Sequence, residues 1–302
     1  MHQTQSSEEF RDALTKTEVL VDSGINGLYQ RSGLFERLIR GIERVASAAG
    51  ADQDAARLYF PPIMPRSAFA HTGYLKSFPN LTGSIDTFVG DDRDHARLLA
   101  LAESGGDWTQ ALVPAEVVMC SAACHSLYPS LTGTMPREGR RFEVQGYCFR
   151  HEPSLDPTRM QSFRMHEFVR VGNAEQALEH RTLWLRRGLS LLAGLGLQVE
   201  AVVANDPFFG RAGRILANNQ RDTELKYEIV APVVAEKPTA IASANYHQDH
   251  FAEPFEIALA DGSTAHSACF GFGLERIALA LLSAHGLDPR DWPESVQEQV
   301  WV

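Results

Sequence analysis

Helical and extended patterns alternate irregularly along this chain, and no strand–helix–strand period recurs. A parallel, doubly wound sheet needs that period. The pattern instead favours an α+β fold, a mostly antiparallel sheet flanked by helices. From Ser32 the residues Phe35, Leu38, Ile39, Ile42, Val45 and Ala46 recur at helical spacing, which stops near Gly50. A β-like run from Arg57 to Met64 follows. Segments 142–149 and 163–171 alternate as two strands joined by the polar loop 151–162. Residues 174–196 are expected to be helical, with Leu178, Leu185, Leu189 and Leu192 on one face. Segments 199–202, 226–230 and 240–244 read as further strands. With no repeat or linker, residues 1–302 are expected to form one domain, with residues 1–20 poorly ordered.

Composition excludes some classes of function. Hydrophobic residues make up 44% and charged residues 22% of the 302, a balance typical of water-exposed globular chains. No apolar run approaches the roughly 20 residues that span a bilayer, and the polar N-terminus lacks a signal-peptide core. A cytoplasmic enzyme without a membrane partner is expected. Four scattered cysteines, Cys120, Cys124, Cys148 and Cys269, do not make a disulfide framework. A formal charge of −10 argues against a broad nucleic-acid surface.

Two arginine-bearing strings carry the chemistry. The first is Phe149-Arg150-His151-Glu152, followed after the polar loop by Arg164-Met165-His166-Glu167-Phe168. The second is Cys269-Phe270-Gly271-Phe272-Gly273-Leu274-Glu275-Arg276, which runs into an apolar helical stretch. A guanidinium stays charged and grips phosphate bidentately, as a site that stabilises charge on a reacting phosphate requires. These strings resemble motifs 2 and 3 of class II aminoacyl-tRNA synthetases. The helix and strand of 32–64 resemble motif 1, which builds a homodimer interface in those enzymes. Motifs 2 and 3 would occupy about 142–171 and 267–283.

The resemblance implies adenylate formation from ATP, with magnesium, at Arg150, Glu152 and Arg276. It gives Arg150 the α-phosphate and the amino-acid carboxylate, Glu152 the adenine edge, and Arg159 with Met160 the outer phosphates. Phe168 and Arg276 would sandwich adenine. An alternative ending, Arg159-x-x-x-Phe163-x-x-x-Glu167, also fits motif 2; the seryl-type ending at Phe168 is preferred. Lys226, Glu228, Ala240, Ile241, Ala242 and Ser243 complete the expected nucleotide set. Either Glu228 or Glu236 could supply a magnesium carboxylate. Glu116, Glu167 and Asn245 are the expected amino-acid contacts. The run Leu112-Val113-Pro114-Ala115-Glu116-Val117 resembles the amino-acid-contacting segment of seryl enzymes, with Ala115 in place of a polar partner, which suits a different or smaller substrate. Thr72-Gly73-Tyr74-Leu75-Lys76-Ser77-Phe78-Pro79 resembles a loop of seryl- and threonyl-type members.

Cys124, Glu167 and Cys269 offer three ligands for a catalytic zinc with an open fourth position. Cys120 rivals Cys124, and His125 and His266 are weaker alternatives. The strings Ala123-Cys124-His125, Met165-His166-Glu167 and His266-Ser267-Ala268-Cys269 extend the resemblance. They match the zinc-dependent seryl-tRNA synthetases of methanogens and, more closely, the amino acid:[carrier protein] ligases that are their truncated homologues. Those ligases load a small amino acid, here glycine or alanine, onto the phosphopantetheine thiol of a carrier protein. No tRNA partner is expected. The segment 205–221 resembles an insertion, and Arg211 and Arg214 would face an acidic carrier if it is helical. A minimal seryl-type tRNA synthetase and a non-catalytic regulatory paralogue are the competing readings.

Overall fold

The strand pair foreseen at 142–149 and 163–171 forms an antiparallel hairpin within the main sheet. A computed structural model describes residues 5–205 and 224–301; Arg211 and Arg214 lie outside the described residues. Seven strands make the main sheet: β1 (Ala56–Tyr59), β2 (Arg140–Phe149), β3 (Ser162–Gly172), β4 (Glu200–Val203), β5 (Lys226–Ala231), β6 (Thr239–Gln248) and β7 (His266–Gly273). Their spatial order is β4-β5-β6-β7-β3-β2-β1. Every neighbouring pair is antiparallel except β1 with β2. The antiparallel expectation therefore holds, with one parallel edge strand.

Helices α1 (Ser7–Lys16), α2 (Gly33–Ala49), α3 (Ala174–Gly194) and α4 (Leu274–His285) contribute to the core on one side of this sheet. Residues 7–16 correct an expectation of poor order. Ser6 and Glu9 form a reciprocal capping box, and Phe10 and Leu14 are buried. The run from Arg57 to Met64 is also two strands rather than one. Pro61 and Pro62 intervene between β1 and the short strand Ile63–Pro65, which joins a separate three-stranded sheet.

The buried face of α3 overlaps only in part with the leucine face inferred from sequence: Leu185, Leu189 and Leu192 pack on the core. Ala177, His180, Trp184, Gly188 and Leu192 point inward, whereas Leu178 is exposed. Trp184 stacks on Phe168 with ring centroids 3.7 Å apart. A Cβ on Gly188 would sit 2.2 Å from the Phe270 ring, so the sheet's aromatics select a small residue there. Shape complementarity outweighs leucine count on this face.

Arg164 ties three elements together beneath the sheet. Its backbone N–H and Nε donate to Glu275 at 2.6 and 2.8 Å, and its two terminal nitrogens reach Glu36 at 2.7 and 2.8 Å. Glu36 lies on α2, and Glu275 sits in the first turn of α4, where the helix dipole favours a carboxylate.

Candidate active site

A cleft of about 560 Å³ opens on the sheet face away from α3. Strand alternation decides what reaches it. Phe163, Met165 and Glu167 of β3 line the cleft, whereas Arg164, His166 and Phe168 face the helices. This corrects the sequence assignment of Phe168 to adenine. Its ring is buried against Trp184, and Phe163 holds the position beneath the Arg150 guanidinium, 5.3 Å from ring centroid to cation. Of the two endings read in sequence, the spacing Arg159-x-x-x-Phe163-x-x-x-Glu167 is the one whose aromatic lines the cleft.

Register brings together the carboxylate and thiols expected to ligate metal. Glu167 pairs with Gly271 and Cys269 pairs with Val169, so Glu167 and Cys269 are diagonal neighbours on one face. Cys124 enters from the tight turn Ala123–Ser126, and the Ala123 N–H donates to Glu167 Oε1 at 3.0 Å. One ligand atom from each of Cys124, Glu167 and Cys269 lies within 4.8 Å of the others, and all three residues are buried. Cys120 lies apart, with its Sγ 3.3 Å from Ser126 Oγ. His266 is held by Tyr246 at 2.6 Å.

The electrostatics of this cluster suit a cation. Glu167 Oε2 is buried without a partner, and burial followed by Cys269 pushes the carboxyl up to about 7. The hydrogen bond between the two thiols lowers Cys269 and raises Cys124, with burial also raising Cys124. Three acidic donors crowded in an apolar pocket resist ionising together. A soft dication relieves that conflict, so the donor set fits zinc. Asn245 Nδ2 and His247 Nε2 each lie 3.5 Å from Cys269 Sγ, buttressing it.

Two guanidiniums, those of Arg150 and Arg276, also line the cleft. Arg276 donates through Nε to the Thr158 carbonyl at 2.8 Å and through Nη1 to the Ala240 carbonyl at 2.9 Å. Those two anchors leave Nη2 available to a ligand. Burial, then Arg150 and Arg159, lower its pKa, as a pocket built for anions would. Arg150 Nε donates to the Ser121 carbonyl at 3.2 Å. Glu152, Met160, Lys226, Glu228, Ala240, Ile241, Ala242, Ser243 and Asn245 also line the cleft. Arg159 stands behind Glu152 at 3.4 Å, and Lys226 pairs with Glu228 at 3.2 Å.

Two carboxylates are placed elsewhere. Glu116 is exposed on the strand Val113–Met119 and does not reach the cleft, so its assignment to the amino acid is corrected. That strand belongs to the separate small sheet, which carries Glu116 away from β3 and β7. Glu236 caps the start of α1 through Ser7, so of the pair Glu228 and Glu236 only Glu228 lines the cleft. Sequence reasoning missed His247 and His250. The parity of Ser243, Asn245 and His247 on β6 is the signal that finds the first.

No family model matches the chain. Amino acid–[acyl-carrier-protein] ligase 1 of Bradyrhizobium diazoefficiens is 39% identical over 280 residues, covering 91% of this chain and 85% of that protein. The chain belongs to the amino acid–[acyl-carrier-protein] ligases. Ligase 2 of the same organism is 40% identical over 280 residues, covering 92% and 84%. Among solved structures, M. kandleri seryl-tRNA synthetase in complex with A. aeolicus tRNASec superimposes with a TM-score of 0.82 at 21% identity. That match covers 99% of this ligase-family chain and 61% of the synthetase chain. The fold is that of the class II aminoacyl-tRNA synthetase catalytic domain. No helix among the described residues is long and apolar enough to cross a membrane.

Proposed function

We propose that this chain uses ATP to activate glycine or alanine as an aminoacyl-adenylate, then transfers it to the phosphopantetheine thiol of a carrier protein. The observation that carries this reading is one cleft holding Arg150, Arg276 and the Cys124–Glu167–Cys269 cluster. In the first step an amino-acid carboxylate oxygen attacks the α-phosphorus of ATP, and pyrophosphate leaves. Arg150 steadies the carboxylate and the α-phosphate, while Arg276 takes charge growing on the outer phosphates. Glu228 would be the carboxylate that holds magnesium, in exchange for its ion pair with Lys226.

Cys124, Glu167 and Cys269 would hold the zinc. When bound, it supplies a Lewis-acid site for the substrate's amino group. Ala123 and Asn245 keep the ligands in place, and Glu167 is thereby the amino-acid contact. A side chain confined beside this buried cluster suits hydrogen or methyl. Amino-acid-dependent ATP–pyrophosphate exchange with each of the twenty amino acids tests the choice. A preference for a large side chain would reject it.

Phe163 and Phe168 should separate under mutation. Phe163→Ala is expected to raise the KM for ATP about tenfold or more, because base stacking on an aromatic ring contributes roughly 1–3 kcal/mol. Phe168→Ala should instead cost about 3–5 kcal/mol of stability, as a fully buried ring does. Denaturant unfolding and exchange kinetics on both variants check this. Equal KM effects would contradict the assigned faces.

The 32–64 region, with Tyr59 66% exposed on the edge strand β1, is assigned to a homodimer interface. Sedimentation at micromolar concentration should give a dimer, and a monomer would refute it. Arg211 and Arg214 are assigned to docking an acidic carrier protein. Reversing both charges should slow transfer and spare pyrophosphate exchange, and added salt should mimic the defect. Undiminished transfer would remove them from the docking surface.

A further inference from the structure

The second half-reaction needs a base, and the cleft carries one that adenylate chemistry leaves unused. His250 lies at the rim of the cleft on the turn that follows β6, its ring hydrogen bond partly buried. Its Nε2 sits 3.0 Å from the Thr72 carbonyl oxygen. A carbonyl can only accept, so Nε2 carries the proton and Nδ1 is left with its lone pair. Among the described residues Nδ1 has no hydrogen-bond partner.

The opposing wall is shaped around this ring. Gly73 adopts φ +71°, and a Cβ there would lie 3.2 Å from His250 Cε1. Lys76 lines the same wall. Nearby, His125 is 7% exposed and its Nδ1 has no hydrogen-bond partner, so this end of the cleft holds an unmet polar group besides His250. A polar chain entering past Thr72 to Phe78 would meet both histidines.

We infer that His250 is the general base of aminoacyl transfer, taking the proton from the incoming pantetheine thiol at Nδ1. This rests on the carrier-thiol reading above. Sulfur attacks the carbonyl carbon of the aminoacyl-adenylate, and the S–C bond forms. The bond from that carbon to the phosphate oxygen breaks, and AMP leaves with the electron pair. The thiol proton passes to Nδ1 and then to solvent. Lys76 stabilises the sulfur's developing negative charge.

The surroundings keep this imidazole ready to accept a proton at neutral pH. Partial burial lowers its pKa most, and His247 and Lys76 lower it further; the Thr72 carbonyl and Asp249 oppose them. His125 faces the same space. A base below its ordinary pKa is neutral, and therefore competent, through the physiological range.

The test compares two readouts in wild type and His250→Gln. One is pyrophosphate exchange; the other is thioester formation on pantetheine and on a holo acyl carrier protein, from pH 6.5 to 9. At pH 7 the variant should lose about 10²-fold in transfer, as general bases typically contribute, and far less in exchange. The loss should shrink toward pH 9, because the thiol, with a pKa near 8.5, then ionises unaided. Transfer unchanged at pH 7 would overturn the inference. So would a parallel loss of both readouts at every pH, which marks a structural role. If wild type exchanges pyrophosphate but thiolates neither acceptor, the carrier-thiol reading fails first.

Discussion

Arg276→Ala is expected to slow amino-acid-dependent ATP–pyrophosphate exchange by about 10²–10³ while leaving the chain folded. The size of the effect follows from how the guanidinium is held. Two carbonyls, Thr158 and Ala240, fix it before substrate arrives, so little reorganisation is needed when charge develops on phosphate. Removing it leaves both carbonyls without that donor, a stability cost of about 1–3 kcal/mol each at most. Relief of repulsion from Arg150 and Arg159 offsets part of that cost. Arg276→Lys should recover little, since an ammonium cannot span both anchors and still meet phosphate. Arg150→Ala should show a loss of the same order. Exchange within threefold of wild type in either alanine variant, with circular dichroism unchanged, would contradict the assignment.

The second large effect concerns the metal. The wild-type protein should carry about one zinc per chain, and Cys269→Ala should carry almost none. Cys269 and Glu167 are diagonal neighbours on adjacent strands, so the sheet itself fixes their spacing. Two remaining ligands, Cys124 and Glu167, are too few for a stable site. Exchange activity should fall with zinc content, because the amino group then loses its anchor. Cys120→Ala is the control: its sulfur faces Ser126 and the Pro61 carbonyl, so zinc and activity should persist. Elemental analysis decides the matter. Absence of zinc from wild type, or its retention in Cys269→Ala, would refute the metal site.

Much of this site was legible because strand pairing leaves local marks. The polar, proline-bearing loop between 149 and 162 delimited β2 and β3 to within about two residues. The residue types at 124, 167 and 269 suggested a thiolate–carboxylate cluster across a gap of more than a hundred positions. The face of β3 was harder to read. Its second half is buried on both sides, so hydrophobic alternation, which ordinarily reports orientation, is absent there. Phe163 and Phe168 are equally apolar, and only the packing of Trp184 distinguishes them. The same limit explains α3, where Leu185, Leu189 and Leu192 do pack on the core as expected but Ala177, His180, Trp184 and Gly188 supply the rest of the contact face and Leu178 is left exposed. Glu116 was misplaced because its strand belongs to a separate sheet, a matter of topology. His250 left no mark in sequence, since its tautomer depends on a carbonyl 178 residues away.

The most direct measurement supplies purified protein with ATP, magnesium and radiolabelled glycine or alanine, then offers a holo acyl carrier protein and bulk tRNA in parallel. Label should appear on the carrier as an alkali- and hydroxylamine-labile thioester, with AMP released and tRNA unlabelled. Efficient labelling of tRNA with an unlabelled holo carrier would contradict it.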